Sequence, residues 1–138
     1  LRRREDDEPI DPVIYMTTVA LGFAAAENVL FALSPLSGST LSQMIITGDL
    51  RFIGATLLHI LSSSAIGVAL GLAFYRPWRA RFMAGLWGLL AAMCLHVVFN
   101  ILILNAPKES LLAVFSLVWI GIIALLAVLE YIKRIRRA

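Results

Sequence analysis

Only one cysteine, Cys94, occurs in 138 residues, so no disulfide can form within the chain. A lone thiol in an apolar run says nothing about redox compartment. There is no internal repeat and no low-complexity tract. No Gly-x-Ser-x-Gly turn and no His-Glu-x-x-His occurs, so neither a serine-hydrolase elbow nor a zincin helix is encoded. A secretory signal pattern is also missing. Arg2-Arg3-Arg4 is followed by Glu5, Asp6, Asp7 and Glu8, not by an apolar core and a small-residue cleavage site. The first residue is Leu1, and the chain is expected to be the C-terminal membrane portion of a longer protein.

What is present is apolar. Hydrophobic residues make up 60% of the chain and its mean hydropathy is +0.87. Soluble domains average roughly 45–50% apolar even with glycine included. Long apolar stretches set the class: an all-α, polytopic membrane helix bundle with four transmembrane helices. The net charge of +3 does not point to nucleic acid, because the basic residues sit mostly at helix ends, where topology accounts for them.

Residues 1–11 form a charged cytoplasmic tether. Asp11-Pro12 reads as a helix start, with Asp as N-cap and Pro at the first helical position. Helices are predicted over about 12–33, 51–75, 82–105 and 111–132, with a basic tail over 133–138. Ser34-Pro35 ends the first helix. Residues 34–50 read as a loop, apolar enough over Leu41–Ile46 to dip into the interface, and placed where it could gate a site. Gly67-x-x-x-Gly71 is a spacing that lets helices approach closely, although glycine is common in membrane helices. The fourth helix is plain apart from Ser116 and Trp119 and reads as structural.

With the N-terminus inside, the inner segments hold Arg2, Arg3, Arg4, Arg76, Arg79, Arg81, Lys133, Arg134, Arg136 and Arg137; the outer ones hold Arg51 and Lys108. This positive-inside bias puts both termini in the cytoplasm.

Against that background a few polar residues stand out: Glu27 and Asn28, then His59, then His96 and Asn100. An ionisable group at mid-bilayer costs about 2.5–3.5 kcal/mol on insertion scales and is by default a functional-site candidate. The predicted helix ends put Glu27, His59 and His96 about 9, 12 and 13 Å below the outer border, at 1.5 Å per residue. Three helices of alternating direction thus place them in one layer of the outer leaflet. Phe23 shares a face with Glu27, as His96 does with Asn100, and as His59 does with Ser62, Ser63, Ile66 and Gly67. Cys94, two residues from His96, points elsewhere. A single membrane His or Asn is often an interhelical hydrogen bond of about 0.6 kcal/mol. The joint pattern carries more than any member.

A carboxylate can act as general base on water, while imidazoles orient the water, bind a metal or stabilise developing charge. Asparagine amides can hold an oxyanion or a peptide carbonyl. Two His and a Glu are also ligand types of hydrolytic zinc, which makes His59, His96 and Glu27 the candidate ligands and leaves the metal open. Peptide hydrolysis by activated water in a membrane cavity uses every group. A proton or ion transporter subunit is the alternative from another class, but a relay should extend across the membrane, and the inner halves of the helices are nearly devoid of polar groups. A non-catalytic scaffold descended from a protease is a third.

These residues resemble the PrsW family of intramembrane proteases, grouped with the CAAX-processing and glutamic intramembrane endopeptidases. The family's Phe-x-x-x-Glu-Asn is matched by Phe23, Glu27 and Asn28, its His with Gly eight positions later by His59 and Gly67, and its His-x-x-x-Asn by His96 and Asn100. The lead-in from Asp7 to Pro12 is also similar, and the resemblance covers roughly residues 7 to 104. It implies an intramembrane endopeptidase of a bacterial inner (plasma) membrane. Its substrates would be membrane proteins with one or few spans, cut near the extracytoplasmic surface, for instance to release a signalling factor such as an anti-sigma factor. Glu27, Asn28, His59, His96 and Asn100 are then catalytic candidates and Phe23 and Gly67 motif positions. The family has been described as metalloprotease-like, but the motifs do not require zinc. A Glu-Glu-x-x-Lys that members carry on the preceding helix has no match here: either it lies upstream of Leu1, in which case this segment by itself is expected to be inactive, or this copy lacks it.

Overall fold

The computed structural model describes residues 8–33, 41–105 and 111–135, and within these the side chains of 8–30, 53–102 and 112–135. It contains four helices: α1 (Asp11–Leu33), α2 (Leu41–Leu72), α3 (Trp78–Asn105) and α4 (Leu111–Lys133). All four are long and apolar enough to cross a membrane.

Helix ends follow local chemistry, with three differences from expectation. At the start of α1 the Ile10 carbonyl accepts the N–H of Val13 at 2.9 Å and of Ile14 at 3.2 Å, so Ile10 caps the helix and Asp11 is already inside it. The Asp11 carboxylate turns back to accept the Glu8 N–H at 2.8 Å. Second, α2 begins at Leu41, not Arg51, so most of the expected 34–50 loop is helix; the rest, 34–40, lies outside the described residues. Ser, Thr and Gly in 42–48 weaken helix propensity by less than 1 kcal/mol each, too little to stop a helix that is otherwise apolar. Third, α2 ends at Leu72 and α3 begins at Trp78, because Pro77 disfavours helical geometry at Arg76 and its carbonyl then accepts the Arg81 N–H at 3.1 Å.

α2 is the axis of the bundle. α1 lies antiparallel on it and is seated by glycine: a Cβ on Gly67 would stand 2.5 Å from the Val13 Cα, and one on Gly71 2.5 Å from the Pro9 carbonyl oxygen. α3 lies antiparallel on another side, its Gly88 against the Ile66 backbone and Ala69. α4 runs parallel to α2, since Phe115, Gly121 and Ile132 meet Gly54, Leu61 and Gly71 in the same order. Leu58, Phe99, Val114 and Val118 close an apolar cluster among α2, α3 and α4. α1 and α3 do not meet: among the described residues no Cα of one lies within 8 Å of the other. They flank an open groove whose floor is α2.

One polar tie lies in the basic half of the bundle. Thr17 and the fully buried Ser64 share a hydrogen bond of 3.1 Å between their hydroxyls. Interhelical bonds of this kind average about 0.6 kcal/mol in double-mutant cycles and reach about 1.7. Thr17→Ala and Ser64→Ala should each lower stability in detergent by that order, and the double variant by no more than the larger single loss. Thermal melts of the four proteins check this; fully additive losses would mean that the bond contributes nothing.

Candidate active site

α1 delivers Glu27 and Asn28 one and a half turns from its end, α2 delivers His59 from its middle, and α3 delivers His96 two and a half turns from its own end. The seating of α1 on Gly67 and Gly71 sets the register. Glu27 lies 14 residues outward of Val13 and His59 eight outward of Gly67, so their backbones are offset along the seam, and the two side chains, each leaning toward its own helix N-terminus, close the gap. The Glu27 carboxylate and His59 Nε2 are 2.7 Å apart. With the carboxylate ionised, Nε2–H donates and the second nitrogen, Nδ1, keeps its lone pair. The His59 side chain is 11% exposed and that of Glu27 36%, so the pair lies at the wall of the groove, with the carboxylate the more accessible partner. Leu58, next to His59, belongs to the apolar cluster on the far side. α2 therefore presents its core to α3 and α4 and its imidazole to the groove.

The His96 ring stands 5.3 Å from that of His59 at an interplanar angle of 34°. Phe23 packs its edge on the same imidazole, 5.0 Å away at 69°. Glu27, His59, His96 and Phe23 are thus brought together. Asn28 takes a different partner: its Nδ2 donates to Thr56 Oγ1 at 3.4 Å, one turn before His59. Asn100 is exposed, one turn beyond His96, and no described side chain bonds it. Cys94 is exposed away from the cluster. Gly67 serves as the seat of α1, not as a site group.

Thr56 and Ser62 were not among the sequence candidates. Thr56 precedes His59 by three positions and so shares its face, a spacing that could have flagged it. Ser62 is 6% exposed and its hydroxyl has no partner among the described residues.

Bringing a carboxylate, an imidazole bonded to it and a second imidazole to one level inside a four-helix membrane bundle defines a multi-pass membrane protein with an acid–base cluster. The chain belongs to the PrsW family of intramembrane metalloproteases, whose sequence model matches residues 1–129. The fold and the family together make it a membrane-embedded member of a protease family. No curated protein and no solved structure matches it.

The family description names a metalloprotease, and Glu27, His59 and His96 are the candidate ligands. As arranged here they do not make a metal centre: among the described residues no three His, Cys, Asp or Glu side chains are grouped to hold an ion. The reason is geometric. The Glu27 carboxylate takes Nε2 of His59, which leaves Nδ1 as the nitrogen of that ring open to an ion, and His96 faces the same ring at 5.3 Å without joining it in a ligand group.

Proposed function

We propose that this protein is an intramembrane endopeptidase in which Glu27 and His59 act as a pair on the attacking water and His96 supports the developing charge. The observation that carries the reading is the 2.7 Å bond between Glu27 and His59, with His96 beside it, within helices that are otherwise largely apolar. A carboxylate that fixes the imidazole tautomer leaves a nitrogen able to take a proton from water. A neighbouring imidazole that donates a hydrogen bond stabilises an oxyanion better in an apolar site than in water. Asn28 and Asn100 border the cluster and are assigned to peptide or substrate contacts, not to proton transfer. The open face between α1 and α3 suits a substrate that arrives sideways from the bilayer: a membrane protein with one or few spans, cut in the half of the bundle away from Arg76, Arg79 and Arg81.

The basic distribution supports a cytoplasmic Arg-rich end and an extracytoplasmic cluster, and the family resemblance adds the bacterial inner membrane. Cleavage at that level would release an extracytoplasmic or membrane-held factor, an anti-sigma factor being the expected kind. A proton relay is less well supported: the polar groups on α1 and α2 next toward the basic end, Ser62, Ser63, Ser64, Thr18 and Thr17, are hydroxyls that do not titrate, and Thr17 is about 15 Å along α1 from Glu27.

The test is cleavage of a tagged single-span reporter by the full-length protein in membranes, beside His96→Ala. Loss of cleavage at unchanged membrane levels, by about 10²-fold or more as for loss of an oxyanion donor, is expected. Cleavage unaffected by His96→Ala would sink this site.

A further inference from the structure

The stripe of α2 that carries His59 continues toward the basic end through Ser63, Ile66 and Leu70, at helical spacing. The stripe of α3 that carries His96 continues the same way through Leu89, Gly85 and Phe82. Two turns below the imidazoles the two stripes part around a cavity of about 350 Å³, with Ile66 and Leu70 on one side and Trp78, Phe82, Gly85 and Leu89 on the other. It is open on one side and its interior is apolar. The Arg81 guanidinium at its edge is held over the Phe74 ring, 5.3 Å from the ring centre. Gly85 helps to keep the space open: a Cβ there would already stand 3.3 Å from the Leu70 side chain.

A cavity of about 150 Å³ already holds benzene, so this one has room for a large aromatic side chain. One wall is itself aromatic: the Trp78 and Phe82 rings lie 6.3 Å apart at an interplanar angle of 35°. Apolar walls inside a bilayer do not separate one apolar group from another by hydrophobicity, so selection comes from close packing. A ring that meets two rings packs better there than an aliphatic chain does.

We infer that this cavity is a specificity pocket that takes one aromatic side chain of the substrate's membrane segment; the inference rests on the reading of Glu27, His59 and His96 as the hydrolytic site. Ile66 and Leu89 each lie seven residues, two turns or about 10 Å, from His59 and His96. In a helix the scissile carbonyl is held by the N–H four residues on, so hydrolysis requires the segment to unwind at the site. An extended chain advances about 3.3 Å per residue. The 10 Å from the imidazoles to the near wall therefore spans about three residues. The selected residue is the third or fourth from the cut, on the side of the basic end. Phenylalanine fits it better than tyrosine, whose hydroxyl would find no partner in an apolar interior.

The experiment uses the full-length protein in proteoliposomes and a single-span reporter whose segment is built of leucine and alanine. One phenylalanine replaces a leucine at a single position, moved along the segment, and the cut is located by mass spectrometry of the products. With phenylalanine third or fourth from the cut, kcat/KM should exceed that of the leucine reporter by about 3–10-fold. Gly85→Leu, which fills the cavity against a movable leucine side chain and not against backbone, should bring that ratio to about one. Leu89→Trp fills the same cavity from α3 and decides if Gly85→Leu does not assemble. A second readout needs no cleavage: a photoreactive phenylalanine analogue at the same reporter positions, mixed with His96→Ala protein, should cross-link to Phe82–Leu89 from one or two positions only. Such cross-links without cleavage of any reporter by wild type would support the pocket and count against the hydrolytic reading alone. Equal rates for phenylalanine and leucine at every position, a preference that survives both filled variants, or no cross-link to Phe82–Leu89 would mean that lipid fills the cavity and would overturn the pocket.

Discussion

Glu27→Gln should lower reporter cleavage by about 10²–10⁴-fold, the range for loss of a general acid–base group, with membrane levels unchanged. Glutamine keeps the shape of the side chain, and its amide oxygen can still accept from His59 Nε2 at the 2.7 Å contact. What it loses is charge and the ability to hold a proton. Assembly of α1 on α2 should therefore survive while the chemistry fails. His59→Ala should be as damaging, and the double variant no worse than the poorer single one, because groups that act as a unit are not additive. The measurement is the initial rate of reporter cleavage at matched expression. If Glu27→Gln cleaved at the wild-type rate, Glu27 would be a helix-pairing residue worth about 0.6 kcal/mol and no more.

The second large effect concerns a residue that has no side chain. A Cβ at Gly67 would meet the Val13 Cα at 2.5 Å, the Pro12 carbonyl oxygen at 2.8 Å and the Val13 nitrogen at 2.9 Å. All three are backbone atoms, so no rotamer change relieves the overlap, and α1 has to move away from α2. Overpacking of this kind costs about 1–3 kcal/mol even for one methyl group. Gly67→Ala should lower the melting temperature in detergent clearly, and Gly67→Leu should detach α1. The consequence reaches the site because α2 is the only helix among the described residues that α1 meets. The Thr17–Ser64 bond, the Asn28–Thr56 bond and the Glu27–His59 pair all cross that one seam. Reporter cleavage should fall with the seam although Gly67 is some 12 Å along α2 from His59, eight residues at 1.5 Å each. A Gly67→Ala protein that melts and cleaves like wild type would show that α1 is not seated there.

The polar cluster was legible before the fold because membrane helices make polarity conspicuous. Glu27, His59 and His96 stood at similar counts from the predicted helix ends, and antiparallel neighbours convert equal counts into equal depth. That argument tolerated a large boundary error. α2 starts ten residues earlier than Arg51, yet His59 still meets Glu27, since the register is set where Gly67 and Gly71 receive α1. The spacing Gly67-x-x-x-Gly71 indicated a close approach but could not name the partner, which proved to be the first turn of α1 together with Pro9. Gly88 carries the equivalent contact on α3 and passed unnoticed, although Ala84, Gly88 and Ala92 repeat at four-residue spacing, a weaker form of the same small-residue pattern.

By itself the sequence determined the class: apolar runs of membrane length dictate four helices, since in lipid each backbone N–H and C=O must be satisfied within its own helix. It also determined which residues are candidates, because charge and imidazole are costly in such runs and are conspicuous in them. The tertiary structure alone decided who touches whom. It paired Glu27 with His59, sent Asn28 to Thr56, left Asn100 exposed, and kept α1 and α3 apart. The physical reason is that these helices are apolar almost all round, so no amphipathic stripe marks a buried face. Which face turns inward is chosen by close packing at small residues, a property of two surfaces fitted together that neither segment carries alone.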